Sequence, residues 1–234
     1  MKLIVEDLCI DFRNRHRIRF AAVNWHFDQS NRLYLIRGDN GTGKTSYLNV
    51  LSGYLQPLRG RALMCEVPIS GRGPSWASIN GIVRSFQNPQ MCNELTIWEN
   101  IVFPLFKAPW KKACTYREIA EEQLSSVGFL ELVNHSPAEL SFGQRRIVEL
   151  LRVKTQVENS IARLLLLDEP FSGLDPVRQE RAIHIVNSFL ESGAFCILVE
   201  HTRKIAGFSY HDKKEVFLTS GDDGIARFSD NSNC

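Results

Sequence analysis

Three nearly continuous apolar runs of strand length punctuate the chain: Leu33–Ile36, Leu164–Leu167 and Phe195–Val199. Strict alternation would mark strands with one wet face, whereas unbroken runs predict strands covered on both faces by helices. Each run is followed by a glycine-rich or charged turn, the position at which an open α/β sheet carries its ligand site. Between residues 88 and 159 the period changes. Tyr116–Val127 places Ile119, Ala120, Leu124 and Val127 on one face of a predicted helix. Gln144–Val157 predicts a second helix, with Arg145, Arg146, Glu149 and Arg152 opposite Ile147, Val148 and Leu151. The pattern predicts a single α/β domain whose core comes from both ends of the chain, about 1–87 and 160–234. A helical lobe at about 88–159 is inserted into it. No internal repeat is visible, and the polar stretch Ser220–Cys234, with few apolar anchors, is expected to fray.

Composition narrows the classes. The chain has 234 residues, 44% of them hydrophobic, enough for one sizeable core. A formal charge of +2 gives no bulk electrostatic reason to expect nucleic acid as a partner. The six cysteines are scattered, with no CxxC pair, which disfavours a metal cluster and suits isolated thiols in a reducing cytoplasm. Glu6, Asp7 and Asp11 interrupt the start of the chain where a signal peptide needs an apolar stretch. No uncharged apolar run approaches the ~20 residues a membrane-crossing helix requires. At a membrane, partner chains must therefore hold this one.

The strongest candidate chemistry is Gly38-Asp39-Asn40-Gly41-Thr42-Gly43-Lys44-Thr45, which matches G-x-x-x-x-G-K-[ST] directly after the first apolar run. Glycines let the backbone curl so that N–H groups point at phosphate oxygens, and a helix beginning near Gly43, with Ser46 in its first turn, adds the positive end of its dipole. Lys44 would reach the β- and γ-phosphates, and Thr45 would offer its hydroxyl to Mg²⁺. By itself the loop says only that the ligand is a nucleoside triphosphate. The second run ends in Asp168-Glu169, carboxylates at the end of a buried strand beside that loop. There Asp168 can hold Mg²⁺ through water and Glu169 can polarise an attacking water.

A third string, Leu140-Ser141-Phe142-Gly143-Gln144, precedes the second helix, with Ser141 placed to cap it. Together with the acid pair and Ser172-Gly173-Leu174-Asp175, it resembles the ABC ATPase family, whose members carry LSGGQ, a DE pair and SGLD in this order. Gln87, in Arg84-Ser85-Phe86-Gln87, and His201, directly after the third run, extend the resemblance over most of the chain. The resemblance implies a P-loop NTPase (RecA-like) core with an inserted α-helical subdomain, ATP and Mg²⁺ as cofactors, and a head-to-tail dimer closing over two ATP molecules. The partner implied is a second copy or a paralogue. It further implies that Ser141, Gly143 and Gln144 act on the partner's ATP, that Gln87 touches the metal, and that His201 holds the γ-phosphate and aligns Glu169. Transmembrane permease subunits would then set the substrate and the direction of transport, with this chain peripheral on the cytoplasmic face. The alternative within the family is a soluble ATPase in a cytosolic assembly or remodelling complex.

The chain departs from the family's pattern in places. Phe142 replaces a glycine, which is tolerated if its ring points away from phosphate. Phe12 is the candidate ring for stacking on adenine, with a core role in the first strand as the alternative. Lys154–Ser160 reads as a surface extension. Phe103–Lys112 mixes aromatics with lysines, as a contact to lipid or a membrane partner or as a solvated loop. The strings around Gln87, Leu95–Asn100, LSFGQRR with Glu149, and Val199-Glu200-His201 look like those of branched-chain amino-acid importer ATPases.

Overall fold

The computed structural model of the protein describes residues 1–12, 16–28, 31–106, 113–159, 161–201, 213–221 and 225–230. In chain order the strands are β1 (Lys2–Phe12), β2 (His16–Phe20), β3 (Val23–His26), β4 (Leu33–Arg37), β5 (Arg59–Met64), β6 (Val67–Pro68), β7 (Ile82–Arg84), β8 (Leu164–Asp168), β9 (Phe195–Val199), β10 (Lys213–Ser220) and β11 (Ile225–Asp230). The helices are α1 (Lys44–Leu51), α2 (Pro74–Ile79), α3 (Ile97–Val102), α4 (Ala113–Ser126), α5 (Phe142–Glu158) and α6 (Pro176–Glu191).

All strands join one sheet in the order β6-β5-β1-β2-β11-β10-β4-β9-β8-β7, with β3 alongside β1. The segment β10-β4-β9-β8-β7 is parallel, and β1 pairs antiparallel with β2, β3 and β5. The three apolar runs form β4, β8 and β9 at the centre, which is why they carry no polar alternation. Leu33, Leu35, Leu165, Leu167, Cys196 and Leu198 face one apolar cluster, shared with residues of α3, α4, α5 and α6. Tyr34, Ile36, Leu164, Leu166, Ile197 and Val199 face a second, shared with α1 and β1. The second cluster is rich in rings: Trp25 stacks on Tyr34 at 4.6 Å, and Tyr47 of α1 lies between Phe20 and Phe228.

Three expectations are corrected. The stretch from Ser220 is no frayed tail over its described part: β11 pairs antiparallel with β10, and Ala226 and Phe228 anchor it in the second cluster. Residues 154–158 are the last turns of α5 rather than a surface extension, with Thr155 and Gln156 buried; Ser160 lies outside the described residues. The charged face of α5 is not uniformly turned to water: Arg146 and Glu149 are wholly buried, while Arg145 and Arg152 are partly exposed. Leu55 lies beyond the end of α1 and packs at the margin of the second cluster. Of the segment 103–112, a 3-10 turn at Phe103–Leu105 is described, with Leu105 buried and Phe103 exposed, and residues 107–112 lie outside the described residues.

Candidate functional site

Strand register assembles the site. Val199 on β9 stands opposite both Ile36 on β4 and Asp168 on β8, so the turns that leave these strands emerge side by side. Glu169 N–H donates to Val199 O at 2.9 Å, and Glu200 N–H donates to Ile36 O at 3.2 Å. The result is a cleft of about 260 Å³ lined by Asn40, Gly41, Gly43, Lys44, Thr45, Ser46, Gln87, Glu169 and His201.

The loop from Gly38 to Gly43 wraps around the start of α1. Gly38 has φ 150°, and a Cβ there would sit 2.3 Å from the Leu218 carbonyl oxygen of β10, so no side chain fits. Gly43 caps α1 in the left-handed region, at φ 99°, with no side-chain cap, which leaves the first amides of the helix directed to the cleft. The Thr42 hydroxyl donates to Asp39 O at 2.9 Å and braces the turn. Lys44 Nζ donates to Gly38 O and Asp39 O, each at 2.7 Å, so the ammonium is held by weak neutral acceptors that anionic oxygens can replace. Burial lowers its pKa, and the nearby carboxylates of Glu169, Asp39 and Asp168 oppose that shift.

Asp168 is 1% exposed and lies behind the cleft wall. Its Oδ1 accepts from the Thr45 hydroxyl at 3.3 Å, and its Oδ2 from Arg84 at 3.1 Å. Burial raises its pKa, against the pull of the Arg84 guanidinium and the Thr45 hydrogen bond. Glu169 follows at φ 48°, a left-handed conformation rare for a non-glycine residue. Its carboxylate is gripped on both sides: His201 Nε2 lies 2.7 Å from Oε1, and Gln87 Nε2 donates to Oε2 at 3.3 Å. Thr45 and Gln87 line the cleft and Asp168 lies directly behind Thr45, and hydroxyl, amide and carboxylate oxygens are the donor types a hard cation such as Mg²⁺ takes. The left-handed Gly43, the α1 amides and Lys44 likewise form a cradle suited to phosphate.

Ser141, Phe142, Gly143 and Gln144 are not among the described residues lining this cleft. Ser141 caps α5 through a reciprocal box, accepting from Gln144 N–H at 3.3 Å while its own N–H donates to Gln144 Oε1 at 2.9 Å. Phe142 turns its ring onto the Ser172–Asp175 turn, where a Cβ on Gly173 would come within 3.1 Å of it. The Phe12 side chain lies outside the described residues; only its backbone pairing with His16 on β2 is described.

Motif spacing overlooks the groups that hold the Gln87 loop. Arg146 donates to Phe86 O at 2.5 Å, to Gln87 O, and to Glu149 Oε2 at 2.8 Å. Glu149 Oε1 in turn accepts from the N–H groups of Phe86 and Gln90. Asn100, 1% exposed, donates to the carbonyls of Cys92, Leu95 and Thr96 and accepts from Cys92 N–H, knotting the loop before α3. The one sequence signal for such groups is a charged or amide residue set among core positions, as at Arg146 and Glu149.

A family model described as ABC transporter matches residues 20–172. The chain is 32% identical, over 174 residues, to a spermidine/putrescine import ATP-binding protein of Chromobacterium violaceum, covering 74% of this chain and 46% of that protein. It is 30% identical to a high-affinity branched-chain amino acid transport ATP-binding protein of Pseudomonas aeruginosa, covering 79% of this chain and 76% of that one. The fold is that of a dimeric ATP-binding cassette solved with ADP and phosphate, at TM-score 0.78 and 21% identity over 99% of this chain and 100% of that chain.

Proposed function

The chain belongs to the ABC transporter family, and from that premise we propose that it binds Mg-ATP in the cleft and hydrolyses it to drive transport by partner permease chains. The observation that carries this reading is the grip of Gln87 and His201 on the Glu169 carboxylate at the mouth of the phosphate loop.

On ATP binding, Lys44 would leave the Gly38 and Asp39 carbonyls for the β- and γ-phosphates, and the α1 amides would receive the remaining oxygens. Thr45, Asp168 and Gln87 would hold Mg²⁺, which supplies charge neutralisation on the phosphates when bound. Glu169 accepts a proton from the attacking water as the bond from the γ-phosphorus to the bridging oxygen breaks. His201 and Gln87 keep the carboxylate aimed. Ser141, Gly143 and Gln144, which do not line their own cleft among the described residues, would complete the site of a second copy or a paralogue, and Phe12 is the candidate ring for adenine. The transported solute is set by the permease, as a branched-chain amino acid or polyamine importer's would be.

No helix among the described residues is long and apolar enough to cross a membrane. A peripheral place on the cytoplasmic face then requires a docking surface. A groove of about 330 Å³ beside the Gln87 loop suits it, lined by Tyr54, Phe86, Phe103 and Arg152, with the rings of Tyr54 and Phe103 exposed.

The test is Glu169→Gln, assayed in the complex that co-purifies with membrane chains. Affinity for ATP should be retained while phosphate release falls by about 10²- to 10⁴-fold, the usual contribution of a general base. Normal turnover at saturating Mg-ATP would remove Glu169 from its role, and purification free of any membrane chain would favour a soluble assembly ATPase.

A further inference from the structure

Arg84 ends β7 with its side chain 3% exposed, inside the protein rather than at its surface. Nη2 donates to Asp168 Oδ2 at 3.1 Å, and Nη1 donates to Ser52 Oγ at 3.0 Å. Ser52 in turn donates to Leu48 O at 2.7 Å, at the end of α1. The guanidinium lies over the Phe86 ring, 4.9 Å from its centroid, next in space to the exposed ring of Tyr54. One buried cation thus bridges the strand that precedes Gln87, the helix of the phosphate loop and the carboxylate behind the cleft.

The bridge leaves Asp168 only one free orientation. With Oδ2 committed to a buried, charge-assisted bond, the carboxylate cannot turn about its Cβ–Cγ axis without leaving the Arg84 guanidinium without its carboxylate. Its backbone is fixed too, since Asp168 N–H donates to the buried Ser85 hydroxyl at 3.2 Å. Oδ1 is therefore kept toward the Thr45 hydroxyl. We infer that Arg84 is a positioning residue for the Mg²⁺ of Mg-ATP, orienting Asp168 so that Oδ1 and Thr45 face the ion together. The inference rests on the reading of Asp168 and Thr45 as metal-side groups. Arginine suits the task because its planar fork reaches Asp168 and Ser52 at once, whereas a lysine ammonium in the same place serves one of them well.

The readout is the affinity of a slowly hydrolysed ATP analogue, measured by titration calorimetry in excess Mg²⁺ and again in EDTA. The ratio of the two affinities is the metal's own contribution. Arg84→Gln should lower that ratio by about 10- to 100-fold, as loss of an outer partner of a metal ligand does, with the EDTA affinity unchanged. Arg84→Lys should keep more of it. Asp168→Asn, run in parallel, reports on the underlying reading: a wild-type ratio there means that Asp168 does not serve the metal, and both readings fall. If Asp168→Asn collapses the ratio while both Arg84 variants keep it, the positioning role alone is wrong. Equal losses in Mg²⁺ and in EDTA for both Arg84 variants would reduce Arg84 to a support of the fold and overturn the inference as well.

Discussion

Glu169 shows how much one residue is asked to do. Its backbone sits in a conformation that costs a non-glycine residue about 1–3 kcal/mol, and the pairing of its N–H with Val199 holds it there. That conformation turns the chain sharply after β8 and delivers the carboxylate to Gln87 and His201. Lys44 is the complementary case, a buried ammonium held by two backbone carbonyls. Lys44→Ala should weaken binding of a fluorescent ATP analogue by roughly tenfold or more, since a hydrogen bond to a charged group contributes about 1.5–3 kcal/mol. Unchanged affinity in an equilibrium titration would count against a phosphate loop at this position.

At the scale of elements, α5 joins two parts of the site. Ser141 caps it and Gly143 lies in its first turn, and Arg146 and Glu149, about one and two turns on, clasp the backbone of the Gln87 loop. Burial raises the pKa of Glu149, and Arg146 and Arg152 oppose that shift, so the carboxylate depends on its arginines. Arg146→Met should destabilise the protein by about 3–5 kcal/mol, the usual consequence of leaving one member of a buried ion pair without its partner. Replacing both by methionine should recover only part of the loss, because the unpaired Glu149 carboxylate is gone while Arg152 and the backbone of the Gln87 loop still lose their partners. Urea unfolding of the two variants measures it. A single variant as stable as the wild type would mean that the pair does not hold the loop.

At the scale of the molecule, the parallel strands place Lys44, Gln87, Glu169 and His201 on one edge, while the LSFGQ stretch starts a helix away from that cleft. A two-fold partner can bring each stretch to the other's site without either lobe folding back. ATP should accordingly promote dimers of the Glu169→Gln protein, since hydrolysis would no longer release them. Gly143→Asp should abolish this dimer by setting a carboxylate against the partner's phosphate, while nucleotide affinity of the single chain stays near wild type. A Cβ at that position also crowds Arg178, at 2.8 Å, so this side chain must rotate aside. Light scattering with and without Mg-ATP, at high protein concentration or in the permease complex, reads the outcome. An unimpaired ATPase of Gly143→Asp in that complex would rule out a site shared between subunits.

What the sequence determined by itself was whatever is local. Unbroken apolar runs marked β4, β8 and β9 because burial on both faces removes any need for polar alternation. The glycine and lysine spacing marked the phosphate loop because a tight turn around phosphate permits few other residues. The Ser141 cap was legible because capping is a contact over three residues. The tertiary structure alone decided what depends on distant segments meeting. The pairing of β1 with β5 and of β11 with β2 joins segments far apart along the chain, and a polar stretch such as Ile225–Asp230 becomes a strand through two inward side chains and the amides of its neighbour strands. Arg146 and Glu149 read in sequence as the charged face of a helix, because a periodic pattern assigns charge to water, and Arg84 read only as part of the string before Gln87. Only the folded chain supplies the carboxylate of Asp168 and the bare amides and carbonyls of the Gln87 loop, which make burial of those charges favourable.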